Sequence, residues 1–380
     1  MPEATDRAVV YCSPALMRIL VVATDIVLPG RHGGSTHVKE LVDNLGKHGE
    51  TLLLGCRGSL GEGIAPVGRP MRRFPAQLRH VDAARIFARA RSVVADFAPD
   101  VIYERGTSYG VGAMVSRERG IPLLTMVLDR RYSWLSLLQA ERIVATDPEA
   151  VVPKAVLHKA VKVSWGANEE RFHPGIDGEA ARVELGLGDA FVVGYAGTFR
   201  PWHGIDGLIR AAKRLPGDGI RYLLIGDGPG RADIERLVDD AGVRDRFVFT
   251  GAVDYADVPG LLAASDIAVA PFEPRFHKGS KAGFVLDPLK VFEYLALGKP
   301  SITVREPNIE ALFEHEKDLL LITPGQDREL ADAILRFKND PALAEKTAAS
   351  GRARVLAKHT WGAHAAQLAG LFRDMLANRR

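Results

Sequence analysis

One pattern governs almost the whole chain. Short apolar runs rich in β-branched residues alternate with stretches whose apolar positions recur at helical spacing. The runs Ile19–Ala23, Thr51–Leu54, Val101–Tyr103, Leu123–Val127, Ile143–Ala145 and a weaker Ala160–Ser164 read as strands. A second series follows at Phe191–Ala196, Tyr222–Ile225, Phe247–Thr250, Ile267–Ala270, Ser301–Val304 and Leu319–Ile322. Between strands, Val38, Leu41, Val42 and Leu45 fall at i, i+3, i+4, i+7, as do Ile205, Leu208, Ile209 and Ala212. Strands separated by amphipathic helices build parallel sheets from βαβ units.

The series restarts near Phe191, just after the turn-forming stretch Arg171-Phe-His-Pro-Gly-Ile-Asp-Gly178. A length of 380 residues suits two domains. The expected organisation is a non-core extension over 1–17, an α/β domain over 18–168, a second over 169–352, and a helical segment over 353–380 with Trp361 inside one helix that begins near Gly351. Two doubly wound sheets that face each other enclose a cleft. Ligands of such sheets bind at the carboxyl ends of the strands.

Composition removes several function classes. Fifty Lys and Arg against 47 Asp and Glu leave a net charge of only +3, so no nucleic-acid partner is expected. Two cysteines, Cys12 and Cys56, make no disulfide framework and match no metal spacing, which suits a reducing, cytoplasmic setting. No apolar run reaches the ~18 residues of a membrane span, and residues 1–17 lack the apolar stretch of a secretory signal. His32 and His37 are poorly spaced for a metal, so none is expected.

Four clusters can carry chemistry. Pro29-Gly-Arg-His-Gly-Gly-Ser35 follows the first strand and opens a helix. Gly33 and Gly34 let backbone approach a donor phosphate or sugar at a helix start, or serve the turn alone. The spacing is not that of a dinucleotide fingerprint. Gly194-Tyr-Ala-Gly-Thr-Phe-Arg-Pro-Trp-His-Gly204 repeats the arrangement in the second series, with Arg200 and His203 as cations for a leaving phosphate. Ile225-Gly-Asp-Gly-Pro-Gly230 is a turn signal and reads as structural by itself. Phe284-Val-Leu-Asp-Pro-Leu-Lys-Val-Phe-Glu-Tyr-Leu-Ala-Leu-Gly-Lys-Pro300 starts a helix at Pro288 and places Lys290 and Glu293 on one face. Lys290 and nearby amides suit phosphates, and Glu293 suits ribose hydroxyls; a plain surface ion pair is the alternative. The preceding loop adds Arg275, Lys278 and Lys281.

Taken together, these stretches resemble the family 4 retaining glycosyltransferases of the GT-B fold over nearly all of residues 18–380. The likeness extends through Trp165-Gly-Ala-Asn-Glu-Glu-Arg-Phe-His-Pro174, Phe249-Thr-Gly-Ala-Val253 and Ala264-Ser-Asp-Ile-Ala-Val-Ala-Pro271. Pro288-Leu-Lys-Val-Phe-Glu-Tyr294 is similar to a Pro-Leu-Lys-x-x-Glu-Tyr variant of the family's nucleotide-binding helix. The resemblance implies an α/β, GT-B fold: two facing Rossmann-like domains with parallel sheets and an interdomain cleft. It implies that Glu293 holds the nucleotide ribose and that Lys290, with amides near Leu289, faces the diphosphate.

His203 stands at the family's phosphate-binding lysine, and Arg200 substitutes for an arginine whose place is taken by Thr198. The remaining donor-side residues it implies are Gly33, Gly34, Gly197, Gly228, Val253 with Asp254 near the base, Asp287 and Pro288. The family's earlier glutamate position is occupied by Val285, and a first-domain histidine position by Leu128-Asp129, which makes Asp129 a candidate for sugar or acceptor contact. The last helix is implied to pack back on the first domain.

The implied reaction is retaining transfer of a hexose-type sugar from a UDP- or GDP-sugar, used as substrate with no cofactor or metal, to a glycan, lipid-linked or small-molecule acceptor. Arg69, Arg72, Arg73, Arg79, Arg85, Arg89 and Arg91, with Ile86, Phe87 and Val93 among them, suit an amphipathic helix. Such a segment can rest on an anionic membrane face or simply be solvated. Two alternatives stay open: a degenerate, non-catalytic nucleotide-sugar-binding scaffold, and a nucleotide-sugar epimerase on the same fold.

Overall fold

The computed structural model describes residues 16–30, 33–68, 79–106, 109–130, 132–215, 217, 219–276 and 287–379. Two parallel sheets form the molecule. The N-terminal sheet contains β1 (Arg18–Val22), β2 (Glu50–Cys56), β3 (Ile64–Gly68), β4 (Val101–Arg105), β5 (Leu123–Met126), β6 (Arg142–Ala145) and β7 (Ala160–Lys162), in the order β3-β2-β1-β4-β5-β6-β7. The C-terminal sheet contains β8 (Phe191–Ala196), β9 (Ile220–Ile225), β10 (Phe247–Gly251), β11 (Ile267–Ala270), β12 (Ser301–Val304) and β13 (Leu320–Ile322), in the order β10-β9-β8-β11-β12-β13.

In each sheet the strand order reverses beside the strand that opens it, β1 or β8, which is where a doubly wound sheet offers a crevice. Leu20 of β1 pairs with Leu52 on one side and Ile102 on the other. Ile19, Leu20, Val21 and Val22 are fully buried, because helices cover both faces. That burial removes any in–out alternation and leaves a continuous apolar run. β3 departs from the expected strand list. Its Pro66 cannot donate to a ladder, which obscured it in sequence, and the strand sits at the sheet edge where proline is tolerated.

The C-terminal segment also differs from the expected single helix around Trp361. It is two helices, Pro341–Lys358 and Trp361–Ala377, broken at His359-Thr360. Thr360 is extended, and its hydroxyl accepts from the Ala363 N–H at 3.1 Å, starting the second helix. That helix packs on Gly33–Leu45 of the N-terminal half. Its His364 Nδ1 meets the Ser164 carbonyl at 2.9 Å, and Arg379 pairs with Glu141.

The chain therefore crosses between the halves twice, and the crossings pair. Ala167 N–H donates to the His359 carbonyl at 2.9 Å, and Trp361 N–H donates to the Ala167 carbonyl at 3.0 Å. A Cβ at Gly166 would collide with the backbone of His359 and Thr360, so glycine permits this approach.

Candidate active site

β8 ends at Ala196 and delivers the chain to Gly197, at φ 145°. A Cβ here would stand 2.6 Å from Lys290 Nζ, so the glycine opens the place that the ammonium occupies. Lys290 reaches it from the helix Leu289–Ala296. That helix buries Val291, Phe292, Tyr294 and Leu295. Tyr294 also accepts the Ala196 N–H at 2.8 Å, which pins the helix to the end of β8. Gly298, at φ 79°, ends it.

Lys290 Nζ donates to the Tyr195 hydroxyl at 3.0 Å and lies 4.1 Å from that ring's centroid and 5.4 Å from that of Phe272. Burial pushes its pKa down to about 7, against some support from Glu293. The ammonium is thus held by aromatic rings rather than by a carboxylate, a cation awaiting an anion.

Around it the loop is self-supporting. The Tyr195 hydroxyl donates to the Thr198 carbonyl at 3.1 Å and meets His203 Nδ1 at 3.0 Å. His203 Nδ1 also contacts the Thr198 carbonyl, so the edge of the imidazole that bears Nδ1 shapes the loop. Arg200 is half-buried, with its guanidinium 5.1 Å from the centre of the Trp202 ring. Gly228 has a structural part. A Cβ there would come within 2.6 Å of the Phe199 backbone, so the 225–230 turn needs glycine to brace the 197–200 loop.

Glu293 lies one turn beyond Lys290 and is half-buried. Its Oε1 accepts from the Tyr255 hydroxyl at 2.8 Å. Burial raises its carboxyl to about 7, and Glu40 adds to the rise while Tyr255, Lys290 and Arg171 oppose it. Val253 is half-buried and Asp254 exposed in the loop that carries Tyr255. Glu40 comes from the N-terminal half and accepts from Asn168 Nδ2 at 2.9 Å, and its charge reaches Glu293 of the C-terminal half.

At the helix start, two groups expected to face the donor have partners within the protein. The Leu289 N–H, expected at the diphosphate, donates to the Asp287 carbonyl at 3.0 Å because the helix opens on a tight turn behind Pro288. Asp287, expected at the donor, is buried; its Oδ2 accepts the Trp165 N–H at 2.6 Å and fastens the interdomain crossing. Burial raises that carboxyl to about 7. Val285, Lys278 and Lys281 lie outside the described residues, as do Arg69, Arg72 and Arg73.

In the N-terminal half, Gly33 and Gly34 open the helix Gly33–Leu45, and a Cβ at Gly33 would meet only open space. Asp129 is half-buried in the loop after β5. The helix Arg79–Phe97 spends Ile86 on the core, with Phe87 and Val93 packed beside it and Val81 exposed. Arg85 and Arg89 are exposed, and Arg91 pairs with Glu118.

Sequence reading missed Tyr195, Tyr255, Glu40, Asn168 and Arg171. Tyr195 and Tyr255 were signalled only by their place, at or just past the carboxyl end of a strand. Among the described residues no group of three His, Cys, Asp or Glu is placed to hold a metal ion, and no helix is long and apolar enough to cross a membrane.

Residues 177–354 match the family model described as glycosyl transferases group 1. The matched segment contains Lys290, Glu293, Tyr255 and the 197–204 loop. The chain is 38% identical over 174 residues to the lipopolysaccharide core biosynthesis glycosyltransferase LpsD of Rhizobium meliloti, covering 45% of this chain and 46% of that protein. It is 29% identical over 205 residues to alpha-D-kanosaminyltransferase of Streptomyces kanamyceticus, covering 52% and 50%. The matches thus span about half the length of these curated relatives.

Among solved structures, sucrose-phosphate synthase from Thermosynechococcus elongatus superposes with a TM-score of 0.78 at 21% identity, covering 95% of this chain and 100% of that one. Anabaena HepE in complex with UDP and glucose gives 0.72 at 19% identity, covering 94% and 100%. The fold is GT-B, with two Rossmann-like domains.

Proposed function

We propose that the chain is a retaining glycosyltransferase that moves a hexose-type sugar from a UDP- or GDP-sugar to a glycan, lipid-linked or small-molecule acceptor, with no metal required. One observation carries the reading: Lys290 is presented uncompensated at the glycine-opened end of β8, with Glu293 one turn away on the same helix. The donor diphosphate lies against Lys290 and the 197–200 loop, and Glu293 accepts the ribose hydroxyls. As the glycosidic bond breaks, negative charge grows on the leaving diphosphate, and cations fixed beside it lower the barrier. The sugar carbon becomes oxocarbenium-like. Arg200 adds a second positive charge, and His203 holds the loop in place. Val253 and Asp254 border the base, while Gly33, Gly34 and Asp129 approach the sugar and acceptor from the opposite half.

The names of the curated relatives, a lipopolysaccharide-core enzyme among them, suit a role in glycolipid or polysaccharide synthesis. The exposed Arg85 and Arg89 suit electrostatic contact with an anionic, cytoplasmic membrane face. Retention on anionic vesicles that disappears at high salt supports this contact; failure to float with them at low salt removes it. The donor reading is tested by thermal-shift screening with UDP, GDP and ADP and their sugars. One of these stabilises the wild type, and the stabilisation is lost in Glu293→Ala and Lys290→Ala. Undiminished stabilisation of both variants overturns the site.

A further inference from the structure

We propose that Tyr255 is a positioning residue that aims the Glu293 carboxylate at the nucleotide ribose, and that the interdomain linker holds Tyr255 in that pose through Arg171 and Phe172. The inference rests on the donor-site reading above and deepens it. A glutamate's terminal torsion is soft and broadly distributed. A carboxylate that must accept two neighbouring hydroxyls therefore needs an outside group to fix its plane. Tyr255 supplies one, its hydroxyl donating to Oε1 at 2.8 Å, which leaves Oε2 to face other partners.

The tyrosine is itself clamped. Phe172, wholly buried, packs against its ring at 5.8 Å between centroids, and the Arg171 guanidinium stands 5.2 Å from the ring centre. Arg171 and Phe172 also donate their backbone N–H groups to the Asn168 carbonyl, at 3.1 and 2.8 Å. Asn168 in turn holds Glu40 of the N-terminal half. The grip on the ribose is thereby built on the segment that joins the two halves.

Burial keeps the Tyr255 phenol protonated well above its ordinary range, so it remains a donor at any working pH. Its hydrogen bond favours the charged form of Glu293, in company with Lys290 and Arg171 and against Glu40. Removing the hydroxyl has two consequences. The carboxylate loses its orientation, and its pKa climbs further, so that more of it is neutral near pH 7.

The test is calorimetric binding of UDP and GDP against their 2′-deoxy counterparts to wild type, Tyr255→Phe, Arg171→Ala and Glu293→Ala, with melting temperatures as a check on folding. The wild type favours the ribonucleotide by about tenfold or more. Tyr255→Phe lowers that ratio to about twofold, and any loss of deoxynucleotide affinity is smaller than the loss for the ribonucleotide. Raising the pH from 6.5 to 8.5 restores part of the ratio in Tyr255→Phe, which a merely structural role would not do. Arg171→Ala moves the ratio in the same direction by less.

Loss of the preference in Glu293→Ala together with its full retention in Tyr255→Phe overturns this proposal and leaves the donor site standing. Retention of the preference in Glu293→Ala, or a wild type with no preference, overturns the donor-site reading and this inference with it.

Discussion

The two sheets end in loops of the same kind, yet each treats a basic side chain there differently. At the end of β4, Arg105 reaches Asp25, beyond the end of β1, at 3.2 Å, and both side chains are largely buried. At the end of β8, Lys290 meets, among the described residues, a tyrosine hydroxyl and two aromatic rings, with Glu293 acting from farther off. A neutralised pair spends its charge on holding strands and loops together. An ammonium desolvated without a counter-charge gains most when an anion arrives. On the function proposed above, that contrast is the reason for placing the anionic leaving group against the C-terminal half.

Substitutions on the two sides break or sharpen that contrast. The largest effect is expected on the Lys290 side, where Lys290→Ala or Glu293→Ala lowers transfer by about a hundredfold or more, read as kcat/KM with the donor that the thermal screen selects. The pH dependence comes next. Lys290 is charged below about 7 in the free protein and Glu293 ionised above about 7. Diphosphate binding favours the charged lysine, so affinity falls as pH rises above 7, by up to about tenfold per unit. It also falls below 7 as the glutamate becomes neutral. Lys290→Met removes the alkaline limb and Glu293→Gln the acid limb; an unchanged profile in either variant contradicts the assignment.

On the paired side, Asp25→Asn costs about 1–3 kcal/mol of stability, read by denaturant unfolding, because it removes the carboxylate charge that Arg105 meets at 3.2 Å. Nucleotide affinity stays within about twofold; a tenfold loss would erase the contrast. The smallest effect is that of Thr360→Ala, which removes a helix cap and costs about 1 kcal/mol.

The two parallel sheets and the location of the cleft were legible because fully buried parallel strands leave unbroken apolar runs such as Ile19–Val22, and because strand ends carry glycine. β3 was hidden by its proline, and the break at Thr360 by helix-forming residues on both sides. At the site, the i, i+3 spacing of Lys290 and Glu293 was visible as a single face. What surrounds them was not. Tyr195 comes from β8 and Tyr255 from the loop after β10, and Glu40 lies more than 250 positions away from Glu293 in sequence, so their convergence is a product of tertiary packing. The Trp165 amide that Asp287 takes was hidden for the same reason, since it lies more than 100 positions away in sequence.

The central claim is that Lys290 meets the diphosphate. Calorimetric titration of UDP or GDP at pH 8, in buffers of different ionisation enthalpy, measures proton uptake on binding. At that pH most Lys290 in the free protein is neutral and must gain a proton to pair with phosphate. The wild type should take up most of one proton per nucleotide bound, and Lys290→Met almost none. Equal uptake in the two proteins, or none in the wild type despite tight binding, would contradict the account.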